Sequence, residues 1–132
     1  MEKNNKQNIA TEDYLETLYE LETENMQLSV TNISSKLNIS KPSVSEMIKK
    51  LSKEDYVIYE KYKEIKLTNK GRKIGKNIHQ KHIILENFFD ILNIDKAIQL
   101  KNIHGIEHHL DKDTIEKIKK LNHYLNENKY KG

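Results

Sequence analysis

Apolar residues return every three or four positions along most of this chain, the spacing of helices that each bury one face. Leu15, Leu18 and Leu21 mark a first helix, which Thr11 can cap and which should run to about Glu22 behind a frayed polar leader, residues 1–8. Val30, Ile33 and Leu37 give a short second face. The turn Asn38-Ile39-Ser40 follows, and Val44, Met47, Ile48 and Leu51 give a third face, which together read as a helix-turn-helix. Ser40 suits the N-cap of its second helix and Pro42 the first turn, where a missing N–H costs nothing. The helical spacing then breaks. Tyr56-Val57-Ile58-Tyr59 and Glu64-Ile65-Lys66-Leu67-Thr68 flank a turn at Lys61-Tyr62-Lys63 and predict a two-stranded hairpin, the wing of a winged helix. Thr68 caps a long helix with Ile74, Ile78, Leu85, Phe89 and Leu92 along one side. Asp95 is placed to cap a helix through Leu110, and Asp111 or Asp113 a last helix whose Ile115, Ile118, Leu121 and Leu125 form a seam suited to a partner helix. The predicted fold is mainly α: an N-terminal winged helix-turn-helix over residues 1–70, followed by an all-helical unit over 71–132.

Composition narrows this picture. A chain of 132 residues makes one compact unit or two small subdomains, and is small for a peptidase with its own substrate cleft. It has no cysteine, no apolar run of membrane-spanning length and a polar start, so it reads as cytoplasmic, with no membrane partner. Net charge is only +3, but it is unevenly placed. Residues 1–40 carry three basic and seven acidic side chains, residues 41–81 twelve and five, and residues 82–132 eight of each. The middle third is the basic face.

That basic third holds the candidate nucleic-acid contacts. Lys41, Pro42, Ser43, Ser45 and Glu46 occupy the first turns of the predicted recognition helix, the part such helices present to a major groove of double-stranded DNA. Lys61, Lys63 and Lys66 on the wing suit phosphates. The plainer alternative is a helical hairpin that binds no DNA beside a surface turn that merely carries lysines.

Candidate metal chemistry sits in His104-Gly105-Ile106-Glu107-His108-His109, because on a helix His104, Glu107 and His108 share a face. They would make half a metal site, or simply a histidine-rich polar surface. The same residues fit the H-x-x-E-H pattern of zinc metallopeptidases, in which two histidines hold zinc and the glutamate activates water. His82 and Glu86 lie four apart on the long helix, and Asp13, Glu16 and Glu20 form an acidic stripe on the first; each is also what a solvated helix face looks like.

Taken together, Glu12-Asp13-Tyr14-Leu15-Glu16, Lys41-Pro42-Ser43-Val44-Ser45, Asp55-Tyr56-Val57-Ile58-Tyr59-Glu60-Lys61-Tyr62, the run from Leu67 to Lys76, and Gly105-Ile106-Glu107-His108-His109-Leu110 resemble the diphtheria-toxin-repressor family of metal-dependent winged-helix repressors, in its short manganese-responsive form. The resemblance covers nearly the whole chain. It implies a homodimer that binds a palindromic operator when a divalent metal is bound, no enzymatic activity, control of metal-uptake genes, and no SH3-like third domain. By position it implies the ligands Asp13, Glu16, His82, Glu107 and His108. His104 departs from the family, whose manganese members carry a glutamate there and whose iron members typically carry a cysteine. Carboxylates suit manganese, which is expected first, with iron second and zinc or cobalt possible, while the extra imidazole shifts preference toward iron, cobalt, nickel or zinc.

Overall fold

The computed structural model describes residues 2–60 and 63–132, with side chains from Ile9 onward. It divides into two compact units, Met1–Asn77 and Ile78–Gly132. Among the described residues no helix is long and apolar enough to cross a membrane.

In the first unit, α1 spans Glu2–Thr23 and so begins well before Thr11, which lies inside the helix and is buried. The leader holds no proline or glycine, so nothing in it stops the helix from extending toward the N-terminus. Leu15, Leu18 and Leu21 are almost fully buried in a core shared with Ile33, Val44, Ile48, Leu51, Val57 and Leu67. Helix α2, Val30–Leu37, starts at Ser29, whose side chain accepts the Asn32 N–H at 3.0 Å. It ends at Asn38 with φ 55°, a left-handed geometry that asparagine tolerates better than most residues. Helix α3, Lys41–Lys53, begins as expected: Ser40 accepts from the Ser43 N–H and Pro42 sits in the first turn. The helix-turn-helix of the sequence pattern is present, with both apolar faces turned into one core.

The wing is shorter than its sequence suggests. Strand β1 is Val57–Ile58 and β2 is Lys66–Leu67, antiparallel, with Val57 opposite Leu67. The next amide, Ile65 N–H, donates instead to the carbonyl of Leu28 at 3.3 Å, which draws this arm toward the loop between α1 and α2. Lys61 and Tyr62, expected in the turn, lie outside the described residues. Helix α4 spans Asn69–Ile91 behind the Thr68 cap, whose hydroxyl accepts the Gly71 N–H at 3.1 Å. Glycines let its first turns pack closely in the first unit: a Cβ on Gly71 would lie 2.1 Å from the Tyr56 carbonyl oxygen, and one on Gly75 2.3 Å from that of Leu15.

The second unit packs the C-terminal part of α4 with α5, Lys96–Ile106, and α6, Lys112–Glu127. Leu85, Ile103 and Ile115 are buried together, with Ile84, Phe89, Leu110 and Ile118 around them. Two expectations change here. Helix α5 stops at Ile106 rather than Leu110, because the His109 N–H bonds to Ile106 three residues back and Asp111 then caps α6, accepting the Thr114 N–H at 2.8 Å. The apolar seam of α6 is also split: Ile115 and Ile118 belong to the unit's own core, whereas Leu121 is 43% exposed beside an exposed Tyr124. Buried Gln99 ties α5 to the end of α4 by donating to Asp90 at 2.8 Å and to the Ile94 carbonyl at 2.7 Å.

Candidate metal centre and nucleic-acid interface

Glu107 is the centre of the second unit's chemistry. It follows the last residue of α5, keeps helical backbone angles through its N–H bond to Ile103, and is only 2% exposed. A carboxylate so buried needs partners. Its Oε2 lies 3.0 Å from His82 Nδ1 on α4, a hydrogen bond in which the imidazole is the donor, and its Oε1 lies 3.6 Å from Nε2 of His108. The other nitrogen of His82 is 3.4 Å from Glu86. His104 is exposed, with its ring edge-on to that of His108 at 6.1 Å between centroids. One donor atom each from His104, Glu107 and His108 lies within 4.8 Å of the others, so the three gather on one side although the helix ends between them. Two or three imidazoles grouped with a buried carboxylate make a nitrogen and oxygen donor set without thiolate, which suits Mn²⁺, Fe²⁺, Co²⁺ or Zn²⁺. The arrangement fits a divalent ion.

Asp13 and Glu16 lie one turn apart on α1 of the first unit, Asp13 half-buried and Glu16 buried. The acidic stripe is thus less solvated than a surface helix face would make it. Glu20, its third member, is 3.2 Å from Lys36, which also donates to Glu24 at 3.1 Å and joins α2 to α1.

On α3, the expected recognition helix, Lys41, Pro42, Ser43 and Glu46 are exposed and Ser45 is half-buried. The Ser40 hydroxyl also donates to the Ser43 hydroxyl at 2.9 Å, so the first turn is rigidly presented. Lys63 is exposed on the wing and pairs with Glu60 at 2.6 Å, while Lys61 lies outside the described residues. Sequence pattern offers no signal for Lys70, which donates to the Glu54 carbonyl at 3.1 Å and lies over the Tyr56 ring at 4.5 Å, because a lysine in a basic stretch looks like its neighbours.

Residues 9–65 match the N-terminal DNA-binding domain of the iron-dependent repressors, and residues 68–132 match their metal-binding and dimerisation domain. The chain belongs to the iron-dependent repressor family. Among its relatives in this family are the HTH-type transcriptional regulators MntR of Shouchella clausii, 42% identical over 90% of this chain and 83% of the relative, and of Bacillus subtilis, 40% identical over 89% and 83%. The solved structure of the manganese regulator SloR aligns with a TM-score of 0.74 at 33% identity over 86% of this chain, and that of ScaR with bound Zn²⁺ at 0.68 and 30% over the same share. The chain spans about half the length of those two structures, each being covered to 54%. As a repressor-family member it is a transcriptional regulator and not an enzyme. The zinc-peptidase alternative is thereby overturned, and Glu107, buried and engaged by His82, is not placed as the free base that such a peptidase requires.

Proposed function

We propose that this chain represses metal-uptake genes in the cytoplasm by binding a palindromic operator as a homodimer when a divalent ion is bound, with manganese the first-ranked ion, iron the second, and zinc or cobalt also accommodated. The carrying observation is buried Glu107 set between His82 and His108 in a half of the chain that matches a metal-binding and dimerisation domain. Glu107, His108 and His82 hold the ion in this reading, and His104 adds a neutral donor beside them. Asp13 and Glu16 enter the ligand set from the family resemblance. A bound divalent ion would supply charge neutralisation among carboxylates that otherwise repel one another. Residues 1–70 serve DNA binding: Lys41, Pro42, Ser43, Ser45 and Glu46 meet the major groove, and Lys61 and Lys63 meet phosphates. Residues 71–132 serve metal binding and dimerisation.

Ligands drawn from residues of both units would restrict the geometries open to the two recognition helices of a dimer and favour those matching successive grooves. Typical allosteric coupling of about 1–3 kcal/mol corresponds to roughly 5- to 150-fold in operator affinity. The test is a titration of Mn²⁺ against binding to DNA selected from a random duplex library with the metal-loaded protein. Binding should tighten within that range, and Asp13→Ala should lose the response while circular dichroism and sedimentation stay unchanged. Operator affinity indifferent to every divalent ion would refute the reading.

A further inference from the structure

The Leu110 carbonyl lies between the last bonded turn of α5 and the first residue of α6, where neither helix supplies a donor for it. Leu110 is itself packed against the unit's core, and a carbonyl at such a position needs a partner. That partner is the ammonium of Lys81, 2.6 Å away. Lys81 and His82 are consecutive on α4, and they reach opposite ends of one short segment: His82 meets Glu107 at 3.0 Å and Lys81 meets Leu110. We propose that Lys81 is a positioning residue for metal binding, holding the segment Glu107–Leu110 to α4 so that Glu107 and His108 keep their places whether or not an ion is present. This rests on the metal-binding reading of those two side chains.

A lysine that acts through its charge makes the opposite prediction. An ammonium close to a divalent ion repels it, so if Lys81 acted through charge alone its removal would tighten metal binding. If Lys81 acts by holding the turn, its removal weakens binding, as loss of the partners behind ligating groups does. The sign of the effect separates the two. Asp111, next along the chain, is anchored separately by the Thr114 N–H, so the start of α6 does not depend on Lys81.

The experiment compares Mn²⁺ binding to the full-length protein and to Lys81→Met by calorimetry, together with hydrogen exchange over residues 104–111 in chelator. Lys81→Met keeps most of the unbranched side chain and deletes the donor. We expect binding about tenfold weaker and faster exchange of the segment, including the His109 amide that bonds Ile106. Unchanged or tighter binding overturns the proposal, and so does weaker binding with exchange unaltered. Should Lys81→Met fail to fold, Lys81→Leu, which also lacks a donor, carries the same comparison. A parent protein that binds no Mn²⁺ would defeat the metal-binding reading and this proposal with it, whereas a parent that binds while Lys81→Met equals it defeats this proposal alone.

Discussion

Arg72 grips Glu22 with two parallel bonds, Nε to Oε1 at 2.6 Å and Nη2 to Oε2 at 2.9 Å, joining the first turn of α4 to the end of α1 within the first unit. The pairing is bidentate, the strong geometry for a guanidinium and a carboxylate. The two side chains are 38% and 34% exposed, so solvent screening limits the pair to about 1 kcal/mol rather than the several expected of a buried one. The bond from Arg72 holds the Glu22 carboxyl below its ordinary value of 4.5, with burial opposing. A carboxyl lowered in the folded state contributes stability above its unfolded pKa and loses it as pH falls through the lower, folded one. Urea unfolding should therefore show Glu22→Gln less stable than the parent by about 1 kcal/mol at pH 7, with the gap closing as pH drops below 4.5. A gap that stays constant between pH 7 and pH 3 would exclude the pair as its source.

Two helical glycines should respond in opposite directions to alanine. At Gly75 the added methyl would sit 2.3 Å from the Leu15 carbonyl oxygen and 2.8 Å from its carbon, so α1 and α4 must separate at a cost of about 1–3 kcal/mol. At Gly105 it would meet nothing within 4 Å, and alanine's better helix propensity should add roughly 0.5 kcal/mol, less than mid-helix because α5 ends one residue later. Melting temperatures of the two variants decide this. Destabilisation by Gly105→Ala would show that the end of α5 is not the open helix turn described.

Most of the fold was legible because each local signal agreed with the burial it served: Ser40 and Pro42 open α3, Thr68 caps α4, and Leu15, Leu18 and Leu21 vanish into one core. What was not legible depended on partners distant in sequence. The wing strands shortened because Ile65 bonds to Leu28, and half of the α6 seam was taken by Leu85 and Ile103 of its own unit. In the candidate metal centre the spacing of His104, Glu107 and His108 announced a shared face even though α5 ends between them, since Glu107 keeps helical angles. The approach of His82 to Glu107, 25 positions apart, could not be read from spacing and came only from family resemblance. Lys81 had no signal of either kind.

The wing and the recognition helix should fail differently when altered. Lys63 is exposed and carries only a surface pair with Glu60, so Lys63→Ala should weaken binding to all DNA sequences alike and flatten the dependence of log affinity on log salt by about one unit for each phosphate left without its cation. Ser43→Ala should instead shift base preference, because Ser43 is exposed in the first turn of α3. Anisotropy titrations at several salt concentrations, on the selected operator and on scrambled DNA, measure both. A changed base preference with an intact salt slope in Lys63→Ala would reverse the assignment.

His104 is the residue on which metal preference should turn. It lies in the last turn of α5, exposed, with a donor atom within 4.8 Å of those of Glu107 and His108. An imidazole there adds a borderline neutral ligand, which favours zinc, cobalt or nickel, whereas a carboxylate adds a hard anionic one, which favours manganese and neutralises more of the ion's charge. His104→Glu exchanges the first for the second. Without metal the new carboxylate faces a helix C-terminus and the Glu107 carboxylate, so the metal-free protein should lose up to about 1 kcal/mol of stability. With manganese that repulsion becomes ligation, and the stabilisation on adding the ion should exceed that of the parent. Operator binding measured across the divalent series should move manganese up relative to zinc and cobalt. An unchanged ranking would remove His104 from the site and leave His82, Glu107, His108, Asp13 and Glu16 to account for selectivity.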